Sequence, residues 1–311
     1  MEVTIILCTY NRSSILATAL ESVAASQLPS SIEWDVLVVD NNSIDQTRQV
    51  VEGFCQRYPG RFRYLFEPQP GKSHALNAGI REARGGILAF IDDDVTAEPT
   101  WLQNLTAGLH SGEWAGAGGR ILPAGTLSLP PWLSSDDHRS LDPLAMFDRG
   151  PQSGPLSESP FGTNMAFRKE IFDRYGSFRT DLGPRPGSKI RSEDTEFGQR
   201  ILAAGERLRY EPSSVVFHAV PQDRLQKEYF LDWWFDKGRA EIRELGIPSG
   251  TKWYVLGSPV YMFRRIIMWT LRWLFALEPS RRFYGRRQVW LLAGCIVESY
   301  RRSRGKGTDL P

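Results

Sequence analysis

Ile87-Leu-Ala-Phe-Ile91 is an apolar run that ends on Asp92-Asp93-Asp94 and resumes with Val95. A short apolar stretch bounded by polar residues is the pattern of a buried strand. Here three adjacent carboxylates stand at its end. Two further runs have the same form: Val3 to Cys8 gives way to the polar cluster Thr9 to Arg12, and Trp34 to Val39 gives way to Asp40 to Ser43. Phe62 to Phe66 reads as another strand. Between these runs the period lengthens. Ile15, Leu16, Ala19, Leu20 and Val23 fall on one face of a helix that Ser13 or Ser14 can cap, and helical patterns recur near Thr47 to Tyr58 and Ser73 to Arg84. Strands alternating with helices imply a parallel sheet with crossover helices, and ligands of such sheets sit in the crevice at the carboxyl ends of the strands. The three polar clusters would meet there.

Composition limits the alternatives. The chain has 311 residues, 41% of them hydrophobic and 24% charged, enough to bury a full core and too apolar for wholesale disorder. Cys8, Cys55 and Cys295 show no metal-ligand spacing and are odd in number, which argues against a disulfide scaffold and a zinc cluster and fits a reducing, cytoplasmic setting. Met1 leads directly into the first strand pattern, which reads as a chain without a signal peptide. The most apolar stretch, Ile266 to Leu277, is interrupted by Arg272 and is too short for a membrane span.

The chemistry-bearing residues cluster in the order of the chain. The Asp triplet needs counter-charge, and a hard divalent cation takes one or two carboxylates together with phosphate oxygens; a solvated turn is the other reading of the same triplet. Pro70 to Gly79 contains Gly71-Lys72-Ser73 without the full phosphate-loop spacing, so Lys72 is left as a point charge for phosphate and Ser73 as a helix cap. Glu193-Asp194 opens a helical run from Thr195 to Ala204. Two carboxylates there either complement the helix dipole or supply a general base. His218 ends an apolar run, Val215 to Phe217, as a structural imidazole or a third metal position.

Leu122 to Pro160 is rich in Pro, Gly, Ser and Asp and reads as a long loop or lid. Regular structure resumes at Asn164 to Tyr175, with short strands at Leu208 to Tyr210 and Val215 to Phe217, and helical patterns follow from about residue 224 to the end.

These segments together resemble the family 2 glycosyltransferases. The marks are Ile6-Leu-Cys-Thr-Tyr-Asn-Arg12, Val38-Val-Asp-Asn-Asn-Ser43, Gly71-Lys72 with Leu76-Asn-Ala-Gly79, Phe90-Ile-Asp-Asp-Asp-Val95, Gly162-Thr-Asn-Met-Ala-Phe-Arg168, Arg191-Ser-Glu-Asp-Thr-Glu-Phe197 and Val215-Val-Phe-His218. The resemblance implies an α/β GT-A fold, a Rossmann-like mixed sheet flanked by helices, with a helical C-terminal appendage. It implies a catalytic domain over residues 1–240, in which 122–160 is an acceptor-side loop, and a basic, amphipathic helical region over 241–311. It implies an inverting transfer from a nucleotide sugar, UDP-linked by preference with GDP or dTDP open, and a divalent Mn²⁺ or Mg²⁺.

By the same resemblance, Thr9, Tyr10, Arg12 and Asp40 line the nucleotide pocket, with Lys72, Asn77, Asp92 and Asp93 nearby. Asp94 binds the metal, with Asp92 and His218 as further ligands. Gly162, Asn164 and Glu193 border the transferred sugar, Arg224 supports the diphosphate, and Asp194 is the base. The Gln-x-x-Arg-Trp motif of processive members is absent, which implies a single transfer. A nucleotidyltransferase and a catalytically silent carbohydrate-binding scaffold of the same fold are the competing readings.

The tail adds a partner. Residues 261–306 hold eleven Arg or Lys against Glu278 and Glu298, a charge of +9 in a chain of +2. As a helix, 262–277 sets Arg264, Arg265 and Arg272 on one arc and apolar residues over much of the rest, and a second apolar segment, Val289 to Val297, is flanked by arginines. The expectation is attachment to the inner face of a membrane and a lipid-linked or envelope glycan acceptor; the Trp, Ile and Leu content suits an interface better than a nucleic-acid groove. A helical hairpin packed on the GT-A core, or forming a dimer contact, is the other reading.

Overall fold

The computed structural model describes residues 2–133 and 138–305; Lys306 and residues 134–137 of the expected loop lie outside them. In chain order the elements are β1 (Val3–Thr9), α1 (Ser13–Ala24), β2 (Trp34–Asp40), α2 (Thr47–Arg57), β3 (Phe62–Phe66), α3 (Lys72–Glu82), β4 (Ile87–Asp92), β5 (Val95–Ala97), α4 (Trp101–Ala107) and β6 (Gly116–Pro123). A 3-10 helix (His138–Leu144) follows, then β7 (Gly154–Leu156), β8 (Asn164–Arg168), α5 (Lys169–Tyr175), α6 (Glu193–Ala203), β9 (Leu208–His218), a second 3-10 helix (Gln222–Leu225), α7 (Lys227–Leu245), β10 (Tyr254–Val255), β11 (Ser258–Pro259), α8 (Val260–Phe275) and α9 (Pro279–Ser303).

Contacts divide the chain into two units. The first comprises Met1–Gly125, Ala145–Thr180 and Glu193–Ala219. Its sheet runs β3-β2-β1-β4-β8-β6-β9-β5, with β7 also on β9. The β1–β4 half is parallel, and β8 joins it antiparallel. Helices bury their apolar stripes on it: α1 contributes Leu16, Ala19, Leu20 and Val23. Ile15, expected on that face, is 41% exposed instead. Behind β4 and β8 an aromatic cluster fills the core, with Phe172 stacked on Phe197 at 4.6 Å and Phe90 edge-on to Phe178 at 5.7 Å.

The caps differ from expectation for a common reason: the loops at the strand ends tie to one another. The first turn of α1 is capped by neither Ser13 nor Ser14. The Ser13 N–H donates to Asp45 of the next loop at 2.9 Å. Ser73 is buried inside α3, whose N-cap is Gly71 at φ 136°, a conformation that favours glycine. Within the expected lid, β6 extends to Pro123 and β7 pairs with β9. The two short strands expected at 208–210 and 215–217 are one strand, β9, with a register shift opposite Gly119/Arg120.

The second unit comprises Thr126–Leu144, Asp181–Ser192 and Val220–Pro311 and is mainly helical. Its helices α7 and α9 cross with backbones almost touching. A Cβ on Gly238 would lie 1.9 Å from the Leu291 carbonyl oxygen, and one on Gly294 would lie 1.9 Å from that of Phe235. Glu298 of α9 is fully buried between Arg243, at 2.7 Å, and Arg239, at 3.1 Å. The second apolar segment of the tail is therefore largely interior to this unit, with Leu292 and Cys295 in its core. Part of the basic excess is interior as well: Arg287 is buried against Trp234, its guanidinium 4.2 Å from the ring centre.

Candidate active site at the carboxyl edge of the parallel strands

Because β1, β2 and β4 are parallel neighbours, their ends arrive at one edge, with Thr9 opposite Asp40 and Cys8 opposite Asp92. The loops there are braced before any ligand is considered. Asp40 accepts the Ser43 N–H at 3.0 Å and the Tyr64 hydroxyl at 2.8 Å. Asn41 accepts the Gly71 N–H at 2.7 Å and donates to the Gln69 carbonyl at 2.7 Å, so it fixes the entry to α3. Asn11 exchanges hydrogen bonds with Ser43 and Ile44.

The Asp triplet splits in two directions. Asp92 accepts from the Lys72 ammonium at 2.6 Å on one oxygen and from the Thr163 hydroxyl at 2.8 Å on the other. Asp93 and Asp94 share Nη1 of Arg12, at 2.7 and 2.9 Å. The same Asp94 oxygen lies 3.6 Å from Nε2 of His218, because β5 pairs with β9 and sets Val95 opposite His218. Among the described residues no three His, Cys, Asp or Glu groups are gathered as a cation site. Asp94 and His218 are a pair.

Beside this cluster, α6 begins with Glu193-Asp194, entered through Ser192 at φ 99°, in the left-handed region where a side chain is strained. Both carboxylate oxygens of Asp194 are held: one accepts the Gly162 N–H at 2.7 Å, the other the Thr195 N–H at 2.7 Å. The Ser159 hydroxyl donates to the Asp194 carbonyl at 2.8 Å, so the loop before β8 and the first turn of α6 are joined. Glu193 is buried, 4.0 Å from the Lys72 ammonium.

Burial sets the electrostatics. It pushes the Glu193 carboxyl up to about 7; the charge of Asp194 adds to this and Lys72 opposes it. It pushes Asp93 up to about 6, against the pull of Arg12. Burial alone would lower Lys72, but Asp92 and then Glu193 outweigh it and hold the ammonium firmly protonated. A site of stacked carboxylates thus keeps two fixed cations, Arg12 and Lys72, and can take further charge only from a cation or a polar ligand.

Of the remaining expected residues, Thr9 is buried at the end of β1 and Tyr10 is 44% exposed beside it. Asn77 clamps the backbone of Phe178 through both its amide atoms, at 2.8 and 3.0 Å. Asn164 is turned into the sheet, donating to the carbonyls of Arg120 and Ser214 at 3.0 Å each. Arg224 belongs to the second unit, where it lies 6.0 Å from the Tyr229 ring centre. Sequence reasoning passed over Thr163, Asn41 and Tyr64. The first two stand inside motifs it quoted, and only the side-chain partners reveal them.

Residues 4–176 match the family described as Glycosyl transferase family 2. The succinoglycan biosynthesis protein ExoM of Rhizobium meliloti is 28% identical over 243 residues, 77% of this chain and 74% of that protein. Glycosyltransferase AglE of Haloferax volcanii is 27% identical over 244 residues, 77% of this chain and 73% of that protein. Among solved structures, mannosyltransferase PcManGT from Pyrobaculum calidifontis, in complex with GDP-Man and Mn²⁺, aligns with a TM-score of 0.60 at 20% identity, over 100% of this chain and 76% of that one. S. aureus TarS 1-349 aligns at 0.54 with 16% identity, over 97% of this chain and 92% of that one. At these identities the structures establish a shared fold.

Proposed function

The chain belongs to glycosyl transferase family 2 and has the GT-A fold, and from that premise we propose that it moves one sugar from a nucleotide-sugar donor to an acceptor hydroxyl with inversion at the anomeric carbon. One observation carries the reading. Asp194 is fixed through both oxygens by backbone N–H groups of two different segments, in the same unit as the Asp92–Asp94 cluster and Lys72. A carboxylate so oriented, with little freedom to turn, suits a general base.

In the proposed step the acceptor oxygen attacks the anomeric carbon while its proton passes to Asp194. The bond to the diphosphate oxygen breaks, and the nucleoside diphosphate leaves with the electron pair. One displacement inverts the centre. Lys72 and Arg12 supply fixed positive charge at the end of the sheet for the developing anion, preorganised by Asp92, Asp93 and Asp94. Thr9, Tyr10 and Asp40 lie on the nucleotide side of this arrangement, and Gly162 and Glu193 on the sugar side.

The donor set of Asp94 and His218 fits a divalent cation: an oxygen and an imidazole nitrogen 3.6 Å apart can face one ion and leave its other positions to phosphate oxygens. Mg²⁺ prefers oxygen throughout, so the nitrogen favours Mn²⁺. When bound, the ion would neutralise charge on the leaving diphosphate. Asp92, engaged with Lys72 and Thr163, serves better to orient the lysine than to ligate.

UDP is the proposed nucleotide. The acceptor is proposed as a lipid-linked or envelope glycan, a reading supported by the likeness to a succinoglycan biosynthesis protein. We assign catalysis to residues 1–240, acceptor selection to 122–160 and placement at the inner face of the cell membrane to 241–311.

The test is nucleotide-dependent thermal stabilisation with UDP, GDP, dTDP and their common sugars, with and without Mn²⁺, on the wild type and on Asp94→Ala. Ligand at about 100 times its dissociation constant adds roughly 2.7 kcal/mol, a readable shift. A metal-dependent shift lost in Asp94→Ala is expected and names the donor. No shift with any nucleotide overturns the proposal in favour of a silent scaffold.

A further inference from the structure

The helix α8 is apolar on two sides, and only one of them is used inside its unit. Met262, Ile266 and Trp269 pack with Leu292 and Cys295 of α9. Around the helix from them, Ile267 is 63% exposed, Leu271 50%, Leu274 54% and Phe275 77%, with Met268 between. On a wheel of 3.6 residues per turn these fall on one continuous arc, and Arg265 and Arg272, both exposed, form its edge. Arg264, also exposed, stands within the arc near the start of the helix.

The hairpin that feeds α8 continues this surface along the chain. Trp253, Tyr254, Val255 and Leu256 are 75%, 45%, 49% and 58% exposed. The turn between β10 and β11 places Leu256 at φ 51° and Gly257 at φ 71°. Two consecutive positive φ angles are the two-residue hairpin turn in which Asn-Gly is strongly preferred. A leucine there is strained by its Cβ and, at 58% exposed, gains little burial in return. An exposed leucine at a position that local energetics assign to asparagine points to something outside the chain that receives it.

We propose that the outward face of α8 and the tip of the β10–β11 hairpin dock the protein on an anionic lipid bilayer, the helix lying in the interface and the hairpin tip entering it. Among the described residues no helix is long and apolar enough to cross a membrane, which fits a helix lying in the plane. Trp and Tyr are the side chains that settle at the headgroup level, and the arginines beside them complement anionic headgroups. A second copy of this chain is a poorer occupant. An antiparallel two-fold contact centred on α8 would bring Arg264 of each copy towards Arg272 of the other, with like charges opposed. The surface lies within the second unit, so it gives a molecular form to the peripheral placement proposed above without resting on the donor chemistry.

Sedimentation of the full chain with vesicles of phosphatidylcholine containing phosphatidylglycerol, against vesicles of phosphatidylcholine alone, tests this. The expected result is binding to the anionic vesicles that weakens in high salt. Replacing Arg264, Arg265 and Arg272 by Gln lowers the partition roughly five-fold per charge, about 10²-fold together. Leu271→Asp with Leu256→Asn lowers it at least ten-fold, while the Leu256→Asn change also relieves the turn and so raises or preserves Tm. Nucleotide-induced stabilisation, unchanged in each variant, separates a failure of docking from a failure of the glycosyltransferase reading. The proposal is overturned if the wild type ignores anionic vesicles, if the variants bind as well as it does, or if Leu271→Asp instead disperses a dimer in solution.

Discussion

At the carboxyl edge of β1, β2 and β4 the carboxylates are withdrawn from water and each is met by a donor at hydrogen-bond distance, as with Asp92 between Lys72 and Thr163. Along α8 and its hairpin, large apolar side chains face outward in series and arginines stand exposed among them. Buried charge is costly, so a protein holds carboxylates inside only where fixed partners offset the desolvation. Exposed apolar surface is ordinary when scattered, as with Ile15, Ile44 and Phe66 of the first unit, and informative when contiguous. The two regions thus depart from the usual inside-outside rule in opposite directions.

The comparison breaks most sharply at Asp194. Asp194→Asn keeps the shape and the hydrogen bond from Gly162 but cannot take a proton at the attacked face. Transfer should fall about 10²- to 10⁴-fold while the nucleotide thermal shift is retained. A variant that transfers normally would remove the base from the proposed step.

Glu193 tests whether the charge is buried as described. Its folded pKa, about 7 against an ordinary 4.5, means that the folded state holds a proton that the unfolded chain has released. Cys8, Lys72, Asp92 and Asp194 surround it. The stability this confers is complete below pH 4.5, declines as pH rises, and is gone above about 7. Glu193→Gln does not titrate, so relative to the wild type it should gain stability between those values, by on the order of 3 kcal/mol at most. Denaturant midpoints of both proteins across that range decide it, and parallel curves would mean that Glu193 stays ionised.

In the second unit the contrast lies between its inside and its outside. Gly238→Ala puts a methyl group into the Leu291 backbone and should cost about 2 kcal/mol or more. Leu271→Asp, on the exposed arc, should leave the unfolding free energy within about 0.5 kcal/mol of the wild type. Equal losses would show that the outer face of α8 is structural.

What was legible in the sequence follows the same division. The strands β1, β2 and β4 are mainly apolar runs because both faces of the inner parallel strands are covered, and these runs located the edge where the polar clusters meet. The strand β6 was invisible because Gly116-Ala-Gly-Gly119 carries no side-chain signal. A Cβ at Gly119 would meet Asn164 at 2.3 Å, so the residues that fill this place come from elsewhere in the chain. Caps failed for a related reason: Ser13 looked sufficient, while the oxygen that caps α1 belongs to Asp45, 32 residues on. In the site, residue types named the candidates, but nothing local distinguishes Asn164, which braces β6 and β9, from Thr163, which holds Asp92. In the tail, helical spacing revealed an apolar helix without revealing which of its faces α9 would cover.

The smallest change proposed bears on the position of the base. Gly162 has a backbone conformation open to alanine, so Gly162→Ala acts through space alone: its Cβ would sit 3.2 Å from the Asp194 oxygen that its own N–H holds. The carboxylate must yield by a few tenths of an ångström. A misplacement near 1 Å costs about 10²-fold in such steps, so a loss of roughly five- to ten-fold in kcat is expected, with the nucleotide thermal shift unchanged. If the effect travels through Asp194, adding Gly162→Ala to Asp194→Asn should cost nothing more, since residues in one hydrogen-bonded unit are not additive. A full further loss in the double variant would place Gly162 against the sugar itself, and the wall and the base would then be separate parts of the site.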